Sequence, residues 1–410
     1  MARPDRLVAP ALGALWTNRS RLQYAWDVLR HAVCNDCSLG ASGLSDGTLP
    51  GSHLCPRRLR RLPRVTADAF DVARVADVST LPRTRGALLA LGRIPTPLIR
   101  RAGARGFSPI GWTDATHLLH ARLRDSRSDA AWSLQIDPTD VDLETLFQLR
   151  RVAGTLERRA REEAGLPPLI DLQVSEEERR LRHEARARLG QWGSTSTLAA
   201  LDTGDPVAVV ARGKHPLLAE TVAALRKRGV LAVLAEDGWP EDVRQTLVYG
   251  QPGVFAALSL GVALGTTPTT PEQLERLTAV WVVGATRGAA PSAPFRAHQA
   301  AFLDPAMLEP AAEVVLLLPS ELPVEQVGGS TFLADDRTLR FSPRVRGHGI
   351  PGAAAGWDIA VRVLAHGDAD AAAELAAHDS SELRQALAQV DPRFAGLLDL
   401  GAPGDTAALG

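Results

Sequence analysis

The sequence predicts an α/β protein in which a small N-terminal metal- or iron–sulfur-binding subdomain precedes parallel-sheet α/β layers. Three observations carry this. Every cysteine (Cys34, Cys37 and Cys55) lies in one glycine- and serine-rich stretch near the start. A strand–turn–helix–strand pattern spans 205–235, and such a unit implies a parallel sheet with helix cover. Two further apolar runs, 279–284 and 313–319, read as additional strands.

Length and composition bound the answer. A chain of 410 residues exceeds one small core. The expected division is a cysteine subdomain over 1–85, an α/β body over 86–370 and a helical tail over 371–410. Apolar residues make up 45% and charged residues 23%, a globular balance. The formal charge of −1 gives no bulk electrostatic case for nucleic acid or a membrane surface. No apolar run approaches a membrane span and no secretory h-region follows the N-terminus, so a cytoplasmic protein is expected.

Taken in order, residues 15–30 predict a helix leading into the cysteine loop, and the glycines and proline of 38–51 predict a loop. Residues 56–62 read as a short helix whose arginines form a solvated face. Prolines at 95 and 97 forbid a helix and favour extended backbone across 88–107. A helix follows, with Thr113 as N-cap and Leu118, Leu119, Ala121 and Leu123 as its apolar positions. Residues 132–136 predict a strand. Leu146, Leu149, Val152, Ala153 and Leu156 predict a helix over 143–164. Ser175-Glu-Glu-Glu178 is a capping box for a charged helix ending near Gly190.

Next come a strand over 205–211, a turn at Arg212-Gly-Lys-His-Pro216, a helix over 217–228 and a strand over 230–235. A helix is expected over 249–264 and strands over 279–284 and 313–319. Residues 330–333 and 338–342 suggest a hairpin. Helix 357–366 precedes an alanine-rich tail with a second helix and a frayed end. Trp112, Trp281 and Trp357 read as core anchors.

The cysteines carry the chemistry. Thiolates bind soft or borderline metals, and the two-residue gap between Cys34 and Cys37 lets both sulfurs reach one centre. Three arrangements are compatible with the spacing. One is an iron–sulfur cluster on Cys34, Cys37 and Cys55, with His31, His53, a carboxylate or solvent in the fourth position. A second is zinc held by His31, Cys34, Cys37 and either Cys55 or His53. The third is three reduced, metal-free cysteines.

The segment from Cys34-Asn-Asp-Cys37 through Pro-Gly-Ser-His-Leu-Cys55 resembles the N-terminal cluster loop of formate-dehydrogenase-like molybdopterin oxidoreductases. Gly92-Arg-Ile-Pro-Thr-Pro-Leu-Ile-Arg-Arg101 and Gly106-Phe-Ser-Pro-Ile-Gly-Trp-Thr-Asp-Ala115 are similar to a passage of that family. Residues 308–319, 325–331 and 340–343 resemble its late segment. The resemblance implies Rossmann-like layers, a [4Fe–4S] cluster on Cys34, Cys37 and Cys55, and a bis-molybdopterin guanine dinucleotide. It places Gly193, Ser194, Thr195, Arg212, Gly213, His215, Thr331 and Arg337 at the cofactor. Arg212 and Lys214 also stand at a strand-to-helix turn suited to an anion.

The chain departs from the family by its shortness, which omits most of a second nucleotide-binding layer and the C-terminal cap. It also lacks any cysteine after Cys55 to ligate molybdenum. His183 falls near that position and reads as a surface-helix histidine. The implied function is two-electron oxidation of a small substrate such as formate, with an electron-transfer or cap-supplying protein subunit as partner. The alternative is a catalytically inactive homologue serving as scaffold.

Overall fold

The computed structural model describes residues 5–34, 42–44, 54, 56–124, 131–136, 141–163, 208–212, 231–235, 260, 277–284, 293–311, 313–333 and 338–409. Helices α1 (Asp5–Thr17) and α2 (Leu22–His31) replace the single helix expected over 15–30. The break has a local cause. Asn18 is buried and turns its amide Nδ2 onto the Ala14 carbonyl at 2.7 Å, which ends α1 one turn before α2 begins. Helix α3 (Pro56–Val65) packs against both.

A short helix α4 (Arg85–Leu89) leads to strands β1 (Leu98–Arg101) and β2 (Ser108–Pro109), within the extended stretch the prolines demand. Helix α5 (Trp112–Arg124) starts one residue before Thr113, and Gly111 supplies the first carbonyl, to Ala115 N. After β3 (Ala131–Ile136), helix α6 (Leu143–Glu163) is capped by Asp142, whose Oδ1 accepts from Thr145 N at 2.8 Å. Strands β4 (Ala208–Arg212) and β5 (Leu231–Ala235) pair in parallel, as the strand–turn–helix–strand pattern requires. The helices expected at 175–190, 217–228 and 249–264 lie outside the described residues, apart from Leu260.

Strands β6 (Leu277–Val283), β7 (Phe295–Ala300) and β8 (Val314–Pro319) complete a six-stranded sheet of order β2-β1-β8-β7-β6-β3. Its four strands β3, β6, β7 and β8 run parallel, while β1 and β2 are added antiparallel at one edge. The protein is therefore a mixed α/β fold. Between β7 and β8 lies the single-turn helix α7 (Pro305–Leu308). Strands β9 (Ser330–Leu333) and β10 (Thr338–Ser342) form the expected hairpin. Helices α8 (Gly356–Ala365), α9 (Ala369–Leu375) and α10 (Ser380–Val390) follow. The end of the chain, expected to fray, instead supplies β11 (Thr406–Ala408), paired with β10.

Alternation along the strands sends side chains to two cores. Trp281, Phe295, Ala297, Leu316 and Leu318 meet Leu119, Leu146, Leu149, Ile359 and Val363 from α5, α6 and α8. On the other face Leu98, Val315 and Leu317 meet Phe70, Val75, Leu88, Phe107 and Met307. A third cluster joins α1–α3 to Leu322, Val324 and Val345, so the N-terminal helices dock beyond the C-terminal end of β8. No helix among the described residues is long and apolar enough to cross a membrane.

Candidate functional site

The cysteine loop departs from a fixed base. Helix α2 ends at His31, and Val33 then forms an antiparallel bridge with Ser42 while Gly43 N donates to Ala32 O at 3.3 Å. Gly43 takes φ +58°, and a Cβ there would lie 2.6 Å from the Arg30 carbonyl, so the closure needs glycine. Cys34 is the first residue beyond this bridge and is half-buried.

Arg58 locks the base from α3. Its guanidinium donates to Leu29 O at 2.7 Å, to Ala32 O at 3.0 Å and to Gly43 O. Carbonyls at the end of a helix have no partner within it, and a buried arginine supplies both donors and a favourable charge. Arg58 is thus a tie between α3 and the loop, and not part of the solvated face expected for the 57–61 arginines. The base also docks on the hairpin, because Val33 N donates to Ser342 Oγ at 3.3 Å. On the far side of the loop, Leu54 packs on the α1–α3 cluster.

A cavity of about 50 Å³ opens beside Cys34, lined by Arg58, Arg61, Leu29, Val324 and Phe332 among others. Cys34 thus shares this cavity with an aliphatic wall and with Arg58 and Arg61, and it is the one described residue of the three proposed cluster ligands. His31 closes α2 three residues before Cys34. Cys37, Cys55 and His53 lie outside the described residues. Among the described residues no group of three His, Cys, Asp or Glu side chains gathers to hold a metal.

The residues assigned to a pterin are dispersed. Arg212 closes β4, in register with Ala235. Gly193, Ser194, Thr195, Gly213, His215 and Arg337, with His183, lie outside the described residues. Thr331 sits within β9, fully buried, and its hydroxyl has no hydrogen-bond partner among the described residues. That oxygen is a polar atom awaiting a partner, but Thr331 presents no open face along which a dinucleotide could lie. The described residues therefore do not fit the pterin at Thr331.

Thr331 belongs instead to a buried polar network that the sequence did not single out. Its N–H donates to Glu144 Oε2 at 2.9 Å, and Glu144 Oε1 accepts from Arg384 at 2.9 Å. Arg384 reaches Gly328 O at 2.7 Å and lies over the Phe341 ring. Beside them Gln326 Nε2 donates to Asp142 Oδ2 at 2.7 Å. Burial pushes the Glu144 carboxyl up to about 7 and is opposed chiefly by Arg384; the same desolvation raises Asp142. Both acids stand at the N-terminus of α6, where the helix dipole favours negative charge.

A second buried pair joins β8 to the entry of β1. Arg93 grips Glu325 with both terminal nitrogens, and Glu325 Oε2 in turn accepts from Leu322 N at 2.8 Å. Close by, half-buried Glu321 is pushed up to about 7 by burial and by the Glu325 charge. Locally, Asp142 and Glu144 stand at the start of the α6 apolar pattern, and Glu321 and Glu325 just beyond the apolar strand β8. The arginine partners of Glu325 and Glu144 lie 232 and 240 residues away in the chain, beyond the reach of any spacing argument.

No protein-family model and no curated protein matches the chain.

Proposed function

We propose that the chain is an iron–sulfur redox protein of the molybdopterin-oxidoreductase type, passing electrons in a formate-dehydrogenase-like oxidation of a small substrate. The observation that carries this reading is the locked base of the cysteine loop. The Val33–Ser42 bridge and the three carbonyl contacts of Arg58 hold Cys34 at the mouth of the apolar cavity. Cys34, Cys37 and Cys55 would hold a [4Fe–4S] cluster, with His31, His53, a carboxylate or solvent completing it.

When bound, such a cluster supplies one-electron relay. The chain's own residues set its surroundings. Val324, Leu29 and Phe332 line the cavity with Cys34 and would give a bound cluster an apolar side, and Arg58 and Arg61 would add positive charge near it. A bis-molybdopterin guanine dinucleotide near 193–195 and 212–215, and a second subunit exchanging electrons with the cluster, belong to the same reading. The enclosed position of Thr331 favours a second reading, in which the cluster is retained in a scaffold without a pterin.

Anaerobic purification followed by visible spectroscopy and assay of iron, zinc, molybdenum and tungsten tests both. Brown absorbance near ~400 nm with about four irons per chain, lost in Cys34→Ser, is expected of the cluster. Molybdenum or tungsten alongside it supports the oxidoreductase, and iron alone supports the scaffold. Zinc alone, or iron content unchanged by Cys34→Ser, would refute the ligand assignment.

A further inference from the structure

A pocket of about 340 Å³ lies against β1 and the segment between β7 and β8, at the opposite end of β8 from the cysteine loop. Strand β8 has six residues, which puts the two places ~20 Å apart. The volume lies within the range of small-molecule sites. Arg83, Arg100 and Arg101 line it, together with the turn at Gly103 and the backbone of Leu308 to Ala311.

The charges here are not balanced. Arg100 is buried and donates to Leu308 O at 3.1 Å and to Glu309 O. Arg296, buried behind it, donates to the same Glu309 carbonyl at 2.5 Å and to Pro310 O at 2.8 Å. Two guanidinium nitrogens sharing one acceptor stand within ~5 Å of each other. Carbonyls satisfy their geometry but cancel none of their charge. Burial, then Arg296, then Arg83 hold the Arg100 guanidinium below its ordinary range, in keeping with like charges crowded together.

Glu309 is the one acid among the lining residues. Its carboxylate stands 3.7 Å from Arg296 and is about half exposed. The other neighbouring acid, Glu313, is engaged by Arg122 at 2.7 Å. On the open side Arg101 is exposed and makes no side-chain contact among the described residues. Arg83 is exposed and reaches only Val78 O at 3.3 Å. Arg100 is therefore fixed in the floor with Arg296 buried behind it, and Arg83 and Arg101 stand at the rim of a cavity whose described lining holds one acid, Glu309.

We infer that this pocket is a binding site for a multivalent oxyanion, a phosphate ester or a polycarboxylate, gripped by Arg83 and Arg101 over the positive floor made by Arg100, whose charge Arg296 reinforces from behind. Guanidinium forks match both anion types, and a bound anion relieves the repulsion within the floor. The site stands apart from the cysteine loop and does not depend on the redox reading.

The test uses the full chain, with calorimetric titration and thermal unfolding in pyrophosphate and in citrate, each against sodium chloride of equal ionic strength. Saturable binding and a raised Tm are expected with at least one anion. Pyrophosphate alone identifies a phosphate site and citrate alone a polycarboxylate site. Arg83→Ala with Arg101→Ala should weaken binding by about tenfold or more while leaving the unliganded Tm unchanged, because both side chains are exposed. Glu309→Gln keeps the shared carbonyl and should tighten binding several-fold. The inference is overturned if neither anion exceeds the chloride control. It is equally overturned if binding survives loss of both rim arginines.

Discussion

Replacing Arg384 by methionine isolates the role of the buried pair with Glu144. Methionine keeps an apolar stem against Phe341 and removes the charge that faces Glu144 Oε1 at 2.9 Å. Glu144 is 1% exposed and Arg384 5%, so water cannot replace the lost partner. Breaking one side of such a pair typically costs ~3–5 kcal/mol, because the remaining charge is stranded. The cost should depend on pH in a defined direction. The Glu144 carboxyl is raised from 4.5 to about 7 in the folded protein. A raised acid stabilises fully below its unfolded value and loses that contribution as pH climbs through the folded one, here ~3 kcal/mol between pH 4.5 and 7. Arg384 is the main influence lowering Glu144, so its removal lifts the carboxyl further and extends the loss above pH 7. Urea unfolding of wild type and Arg384→Met at pH 5 and pH 8 measures this. The deficit should be larger at pH 8 than at pH 5, where Glu144 is neutral in both proteins, by ~1 kcal/mol, the most that one pH unit above a folded value of about 7 allows. Equal deficits at the two pH values would show that Arg384 acts through packing and its bond to Gly328, and the electrostatic argument would fall.

Three further outcomes follow from the same contacts. His298 is fully buried, neither ring nitrogen has a hydrogen-bond partner, and burial lowers it to about 3. Its contribution is present above pH 6.5 and lost as pH falls toward 3, ~5 kcal/mol in all, so His298→Leu should flatten the acid limb of a urea-midpoint profile. An unchanged limb would assign acid sensitivity elsewhere. Arg58→Met strands the Leu29 and Gly43 carbonyls at the cysteine loop, at ~1–3 kcal/mol for each one left buried, and leaves the Ala32 carbonyl with Gly43 N alone. Faster hydrogen exchange at Ala32 and Gly43 and a lower iron content are expected, and unaltered exchange would count against the tie. Gly329 has φ +80°, and a Cβ there would stand 2.5 Å from Phe341 Cζ and 2.8 Å from Ser342 O. Gly329→Ala should therefore cost ~2–4 kcal/mol in thermal or urea unfolding, whereas a neutral substitution would mean that the hairpin can shift.

The elements legible in the sequence were those whose own composition states their environment. The apolar runs of β6 and β8, the alternation through the β9–β10 hairpin and the apolar face of α6 each announce burial at a fixed period. The pairing of β4 with β5 was legible for the same reason. Strand β7 was not. Phe-Arg-Ala-His-Gln-Ala carries three polar residues of six and shows no period-2 apolar pattern, so no strand was expected there, yet every one of its residues is buried. The fold makes this tolerable by giving Arg296 the carbonyls of 306–310 and Gln299 the carbonyl of Gly356.

By itself the sequence determined the α/β class, the position of most strands and helices, and the clustering of all three cysteines in one short loop. Those follow from local periodicity and from residue chemistry. Tertiary structure alone decided what holds that loop and what surrounds it. Arg58 reads as one of a row of surface arginines until three carbonyls from α2 and residue 43 converge on it. Glu144 and Arg384, Arg93 and Glu325, and Arg100 and Arg296 on the shared Glu309 carbonyl are brought together across long stretches of chain. The physical reason is the same in each case. A buried charge needs a partner in space, and the chain can supply it from any distance along its length.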